Sequence, residues 1–506
     1  MRAHDYTKAL LQYGVAQRLF APADWFYVQH RLMALLNLAE MPFDVTPLDL
    51  CGLGQVQNLL DAMCDDAIER GVLAPCGVAG RDIFDSALMD CLMPRPSEVQ
   101  AQFERLKGQS AQLATDDYYH LARASNYVRL ARVAKNIKWT WRGPFGVLDV
   151  TVNLSKPEKD PVQIAAARSA EAVDYPKCLL CRENEGYAGR LNHPARQNLR
   201  LIPLRLNGDE DWFLQYSPYE YFNEHCIVLK AEHEPMTIGA HTFVRLLDFV
   251  AQFPHYFMGS NADLPIVGGS ILSHEHFQGG RHDFAMANAA VLHEAPMTRH
   301  AKVRVQMLHW PMSVLRLLSV DKEALQVAAS DVLAQWRVYS DTYVDVVAQS
   351  SGTQHNTITP IARYRNGGFE LDLVLRNNRT SPAHPQGIFH PHEGLHHIKK
   401  ENIGLIEVMG LAVLPDRLAG AIAQMAACLR GECAFEALPE LAAHGSWFTQ
   451  IAARYDAQMD ALAYVQHEVG AVFEQVLCDA GVFKQDAVGL AAFRRFVAQI
   501  NGVVDE

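Results

Sequence analysis

The 506-residue chain has no uninterrupted apolar run of membrane-spanning length, so no helical span is expected. Its first residues, MRAHDYTKALLQYG, lack an apolar core followed by a small-residue cleavage site, and no signal peptide is expected. No basic stretch is long enough to track a nucleic acid, and the net charge is −12, which argues against DNA or RNA binding. Nucleotide binding stays open, because it needs only local donors. A disulfide framework is missing too. The ten cysteines stand mostly alone (Cys51, Cys64, Cys76, Cys91, Cys226, Cys428, Cys433, Cys478), a pattern of the reducing cytoplasm. The exception is Cys178-Leu179-Leu180-Cys181. Solenoid repeats and low-complexity segments are absent as well.

The composition is that of an ordinary globular protein, 49% hydrophobic and 20% charged. The length predicts roughly two to four domains or one elaborated domain. Residues 1–138 read as helical: Tyr6–Phe20, Asp24–Leu38, Val56–Ile68, Ser97–Leu113 and Asp116–Ile137 carry apolar residues at helical spacing. Arg123, Asn126, Tyr127, Arg129 and Lys135 read as a solvated face. At Trp139 the composition turns aromatic and β-branched, which places a boundary there. Residues 139–414 form the middle segment. Strand-like runs stand at each end of Trp212–Leu229, occur within Val303–Leu318, and cover Phe369–Leu375 and Gly404–Leu414. Helices are expected over Thr242–Phe253 and Lys322–Val344. His355–Arg365 is polar and precedes a strand. Residues 415–506 return to helix over Asp416–Arg430, Trp447–Cys478 and Asp486–Ile500. Ser155–Pro161 is a charged loop whose Lys156 and Lys159 suit a phosphorylated ligand.

The chemistry concentrates in Pro265–Gly280, PIVGGSILSHEHFQGG. If this stretch is extended, His274, His276 and Gln278 share one face, with Glu275 and Phe277 on the other. Imidazole can ligate a metal, carry a proton or act as a nucleophile. A carboxamide donates to phosphate oxygens. Gly268, Gly269 and Ser270 offer donors around a phosphate, or a packing kink, and Asn261 reads as a turn residue. Two thiolates in Cys178–Cys181 can share a metal ion or a disulfide. The loop-like Arg182–Arg205 that follows argues against a thioredoxin-type pair and for zinc. No second C-x-x-C exists, so the remaining ligands must be histidines or carboxylates: His274, together with His233 or His225. A Cys₂His₂ site is closed and structural, and it would leave His276 free.

The phrases CLLCRENEGYAGRLNHPARQN, WFLQYSPYEYFNEHCIVL, FPHYFMGSNADLPIVGGSILSHEHFQGGRH and GIFHPHEGLHHIKKENIGLIEVMGLAVLP resemble the galactose-1-phosphate uridylyltransferase family, type II bacterial branch, of the histidine-triad superfamily. The resemblance implies an α+β fold: a histidine-triad-like antiparallel-sheet core over 139–414, flanked by helical regions over 1–138 and 415–506. It implies a ping-pong exchange of UMP between UDP-glucose and galactose 1-phosphate. His276 would be the nucleophile, forming a uridylyl-histidine, and Gln278 would hydrogen-bond the phosphoryl oxygens. Zinc would be held by Cys178, Cys181, His233 and His274. Asn261 would contact the uridine or ribose. The superfamily often pairs subunits, which leaves a homodimer open; the sequence does not settle the oligomeric state. Where the type I branch has proline between its two histidines, this chain has Glu275. That branch also carries a second metal site with a late H-x-H. His390 and His392 match that motif, and Glu294 lies in the corresponding region without aligning.

Two other classes bear comparison. Another nucleotidyltransferase or phosphorylase on the same scaffold would differ in its choice of nucleotide sugar. A zinc-stapled sugar-nucleotide binding protein, or a redox sensor using Cys178 and Cys181, would form no covalent intermediate on His276.

Overall fold

A computed structural model describes residues 3–41, 56–155 and 173–502. The loop lysines Lys156 and Lys159 lie outside the described residues. By its internal contacts the chain divides into two units, residues 1–135 with 155–234 and residues 136–154 with 235–506. The segment 139–414 therefore contributes to both.

In the first unit, helices Ala3–Ala16, Trp25–Leu35, Val56–Glu69 and Val78–Asp90 direct Leu10, Leu32, Leu60 and Leu88 into one core, all fully buried. Each such leucine contributes about 1.5–3 kcal/mol. Ser97–Leu113, read as one helix, is divided. Pro96–Lys107 ends, and the Ser110 hydroxyl accepts the Leu113 N–H at 3.5 Å to start Ala111–Ala124. The long helix expected over Asp116–Ile137 stops at Ala124, because Asn126 adopts a left-handed backbone with φ 56°. The solvated face assigned there is also corrected. Asn126 and Tyr127 are buried, the Asn126 amide donates to Gln57 Oε1 at 3.0 Å, and the Arg129 guanidinium grips buried Asp85, with one arm at 2.8 Å. Partners on other helices take up Asn126 and Arg129, which periodicity along one helix does not reveal, while Lys135 is exposed as expected.

The same unit holds an antiparallel meander, Ile202–Leu206, Glu210–Tyr216 and Cys226–Lys230. Its first strand alternates strictly, with Ile202, Leu204 and Leu206 buried and Pro203 and Arg205 exposed. The Tyr216 hydroxyl donates to the Thr115 carbonyl at 3.0 Å, tying the meander to the helix Ala111–Ala124.

In the second unit, Ile137–Gly143 and Gly146–Val152 form a hairpin, and Leu411–Leu414 adds in parallel to its second strand. Within this unit a larger run of antiparallel strands proceeds in the order His276–Gly280, Phe257–Gly259, Asn356–Arg365, Gly368–Asn377, Val314–Ser319, Arg304–Leu308 and Val291–Pro296. Helices Ala240–Gln252 and Lys322–Val338 pack on it. Trp336, fully buried, donates its indole N–H to the Thr357 and Arg376 carbonyls at 3.0 and 3.2 Å. The class is mixed α+β, as the sequence implied.

Several boundaries move. Asn356–Arg365 is a strand despite its polarity. Its neighbour begins after the two-residue turn Asn366-Gly367, whose φ values of 54° and 76° suit a hairpin. Gly404–Leu414 divides into the short helix Leu405–Val408 and the strand Leu411–Leu414. Trp447–Cys478 divides into Gly445–Ala452 and Ala461–Ala480. Among the described residues no helix is long and apolar enough to cross a membrane.

Candidate functional site

The stretch Pro265–Gly280 is not one strand. Ile266 takes a positive φ of 74°, and Gly268 forms an isolated bridge with Ala262. The two glycines are required by close approach. A Cβ on Gly268 would come within 2.7 Å of the Ala262 and Leu264 carbonyl oxygens, and one on Gly269 within 2.7 Å of the Asn261 amide nitrogen. The chain therefore coils over Asn261–Leu264 before it extends. Pairing begins only at His276, so His274 sits in a bend before the strand, and the shared face of the extended reading is confined to His276 and Gln278.

His276 is buried, and Gln278, two residues on, is half-buried. The His276 Nδ1 lies 2.8 Å from the His274 carbonyl oxygen. A carbonyl only accepts, so Nδ1 carries the proton and Nε2 keeps its lone pair. Burial lowers the His276 pKa to about 4, the nearby His274 ring adds to that, and the bond to the His274 carbonyl opposes it. A neutral imidazole with an unprotonated Nε2 is a competent nucleophile at neutral pH without a base to activate it.

Asn261, a candidate nucleotide contact, is buried, and its side-chain oxygen accepts the Leu405 N–H at 2.9 Å. Ser270 is exposed. Two groups that motif reading passed over support this stretch. Arg245, on helix Ala240–Gln252, donates to Glu275 at 2.7 Å, and both side chains are buried. The Asp263 carboxylate accepts the Ile238 N–H at 2.9 Å and the Thr357 hydroxyl at 2.6 Å. Glu275 between two histidines was the available signal for the first. Nothing local signals the second.

In the first unit, Cys178, Cys181 and His233 converge. The two sulfurs lie 3.5 Å apart, and Cys181 Sγ lies 3.2 Å from His233 Nδ1. In a tetrahedral zinc site with Zn–S near 2.3 Å, ligand atoms are about 3.5–3.8 Å apart. Asn184 braces the turn by donating to the Cys178 and Cys181 carbonyls at 2.9 and 2.8 Å, and its oxygen meets His193 Nε2 at 2.7 Å. Burial pushes the Cys181 thiol up to about 12. This Cys/His cluster could hold a metal ion. His225, the competing ligand, is buried between rings instead, 4.5 Å from Phe222 and 5.5 Å from Tyr221. His274, in the second unit, is fully buried.

The late histidines are otherwise engaged. His392 stacks on His384 at 4.3 Å and approaches Asp479 at 3.4 Å, and His390 is buried beside its own chain. Glu294 is exposed and held by Arg304 at 2.6 Å. None of the three belongs to a metal-suited group among the described residues.

Comparison with known proteins places the chain. Residues 18–235 match the family model for galactose-1-phosphate uridyl transferase, N-terminal domain, and residues 249–461 match the model for its C-terminal domain. A galactose-1-phosphate uridylyltransferase of Caldanaerobacter subterraneus is 47% identical over 507 residues, covering 97% of each chain. The enzyme of that name from Bacillus subtilis is 47% identical over 505 residues, covering 98% of each. That from Fusobacterium nucleatum is 46% identical over 505 residues, covering 97% of this chain and 98% of its own. A solved DUF4931 family protein from Bacillus cereus covers 36% of this chain and 87% of its own at 13% identity and a TM-score of 0.25, too distant to carry an argument.

Proposed function

Because this chain belongs to the galactose-1-phosphate uridylyltransferase family, we propose that it transfers UMP through a covalent intermediate on His276. It is a nucleotidyltransferase of galactose metabolism, exchanging UMP between UDP-glucose and galactose 1-phosphate to give UDP-galactose and glucose 1-phosphate. The observation that carries the covalent route is the tautomer of His276, buried with Nδ1–H on the His274 carbonyl and Nε2 left as a base.

In the first half-reaction His276 Nε2 attacks the α-phosphorus of UDP-glucose. The bond from that phosphorus to the bridging oxygen breaks, and glucose 1-phosphate leaves with the electron pair. The ring, now bonded through Nε2, keeps its Nδ1 proton and gains positive charge. The His274 carbonyl accepts from Nδ1 and stabilises that charge. In the second half-reaction a phosphate oxygen of galactose 1-phosphate attacks the same phosphorus, the N–P bond breaks, and neutral His276 is restored. No net proton transfer is required, because both entering and leaving groups are phosphates. The amide of Gln278, along the strand on the same face, donates to the phosphoryl oxygens. The backbone at Gly268 and Gly269 and the exposed hydroxyl of Ser270 supply further donors. For Asn261 the bond to Leu405 supports a positioning role over a nucleotide contact.

We assign Cys178, Cys181, His233 and His274 as ligands of a structural zinc ion. The convergence of the first three and the chemistry of two thiols with imidazole support this reading. Bound there, zinc would supply folding energy and no catalytic step. Residues 139–414 carry the chemistry, and 1–138 and 415–506 support it. The homodimer left open by the resemblance is checked by light scattering, where the mass of one chain would exclude it. The scattered cysteines of the sequence support a cytoplasmic location.

Intact-protein mass after mixing with UDP-glucose tests the mechanism. The expected result is a UMP adduct, discharged by galactose 1-phosphate and absent in His276→Gly. Binding of UDP-glucose with no adduct under quenched conditions refutes the covalent route. An adduct that persists in the variant refutes His276 as its site.

A further inference from the structure

We propose that the second unit carries another anion site, at the far end of the strand that begins with His276, and that it binds inorganic phosphate or a small phosphate monoester. A cavity of about 400 Å³ opens there, walled by Arg281, Arg363 and Arg365, with Tyr256, His282 and the carboxylate of Asp283 beside them. The strand register brings these residues together. Phe257 pairs with Gly280, and Met258 pairs with both Gly279 and Ala362. Arg281 on one side and Arg363 on the other therefore flank the beginning of strand Phe257–Gly259. Arg363 and Arg365, two apart in their strand, point the same way. Five residues of extended chain separate His276 from Arg281, about 16 Å. An anion held at Arg281 is thus not the phosphate that His276 attacks.

Charge and hydrogen bonding both favour an anion. Arg316, Arg363 and Arg365 share two carboxylates, Glu370 and Asp372, through contacts of 2.6–3.6 Å. Three guanidiniums against two carboxylates leave one cation in excess, and the cavity wall adds Arg281 and Asp283, whose charges offset each other. The Arg363 side chain is 5% exposed, with Nη1 spent on Glu370 and Asp372. Its Nη2 is buried with no hydrogen-bond partner among the described residues, and Arg365 Nε is in the same position. Two buried donors without acceptors, one on each of two neighbouring guanidiniums beside a cavity with surplus positive charge, can each donate to a phosphate oxygen. The opposing reading is a self-contained salt-bridge cluster, but that reading leaves both N–H groups and the third charge unaccounted for.

The test uses the full-length His276→Gly protein and inorganic phosphate, read by calorimetry and by hydrogen exchange. The expected result is saturable binding by about 10 mM phosphate that protects amides in 254–257 and 280–283. Arg281→Gln and, separately, Arg365→Gln should each weaken it at least tenfold. UMP exchange by otherwise unaltered protein should be unchanged by Arg281→Gln at saturating substrates. The proposal is overturned if phosphate protects only residues 268–278, if neither arginine variant changes affinity, or if binding does not saturate. Loss of the UMP adduct on His276 would bear on the transferase mechanism alone and leave this site standing.

Discussion

The contact between Gly269 and Asn261 makes a sharp test of how the reactive stretch is held. A Cβ added at Gly269 would lie 2.7 Å from Asn261 Nδ2, 2.8 Å from Cγ and 3.3 Å from Cβ. The Asn261 side chain cannot simply turn away, because its oxygen holds the Leu405 N–H at 2.9 Å in a buried setting. Gly269→Ala therefore overpacks the loop five residues before His274, at a cost of about 1–3 kcal/mol. Asn261→Ala orphans the Leu405 N–H, also at a cost of about 1–3 kcal/mol. In the double variant the Nδ2 and Cγ atoms that the new methyl group meets are gone, and of the three closest contacts only the one to Cβ at 3.3 Å remains. Gly269→Ala should then cost almost nothing, so the double variant should resemble Asn261→Ala alone. The coupling is about 1–3 kcal/mol in the direction of rescue. Thermal unfolding midpoints and kcat/KM for UMP exchange, measured across the four proteins, give this coupling twice. If the single costs add within about 0.5 kcal/mol, the two residues are independent and the packing reasoning is wrong.

Two further outcomes follow from charge and metal chemistry. Burial raises the Glu474 carboxyl to about 7, opposed by the Phe145 N–H, and its Oε2 has no partner among the described residues. A carboxyl raised in the fold is penalised when ionised, so stability falls as pH rises from the ordinary carboxylate range through about 7. The thermal midpoint should drop between pH 5.5 and 8, and Glu474→Gln should flatten that part of the profile; an unchanged slope in the variant would assign it elsewhere. Removing metal with a chelator should release about one zinc per chain, and Cys181→Ser should lower zinc content and thermal midpoint together. Full zinc occupancy in Cys181→Ser would remove that residue from the ligand set.

Local chemistry was legible wherever one short segment contains its own cause. The spacing Cys178–Cys181 places two sulfurs within 3.5 Å on a single turn. Period-two alternation puts His276 and Gln278 on one face, and period 3.6 marks helices such as Ala240–Gln252 and Ala487–Ile500. Strand Asn356–Arg365 was missed because half of its buried side chains are polar: Arg363 enters the interior only with Glu370 and Asp372 from the next strand. The Asn366-Gly367 turn was its one readable sign.

The amino-acid sequence by itself determined the family, the nucleophile candidate and several of the long helices, since these depend on residue type and on neighbours a few positions apart. Only the tertiary structure decided that the strand starts at His276, that Asn261 fills the space over Gly269, and that His233, not His225, meets Cys181. It alone ended a helix at Ala124 and gathered Arg281, Arg363 and Arg365 around one cavity. Each of these depends on groups far apart in the chain, where burial and the pairing of polar atoms override local preference.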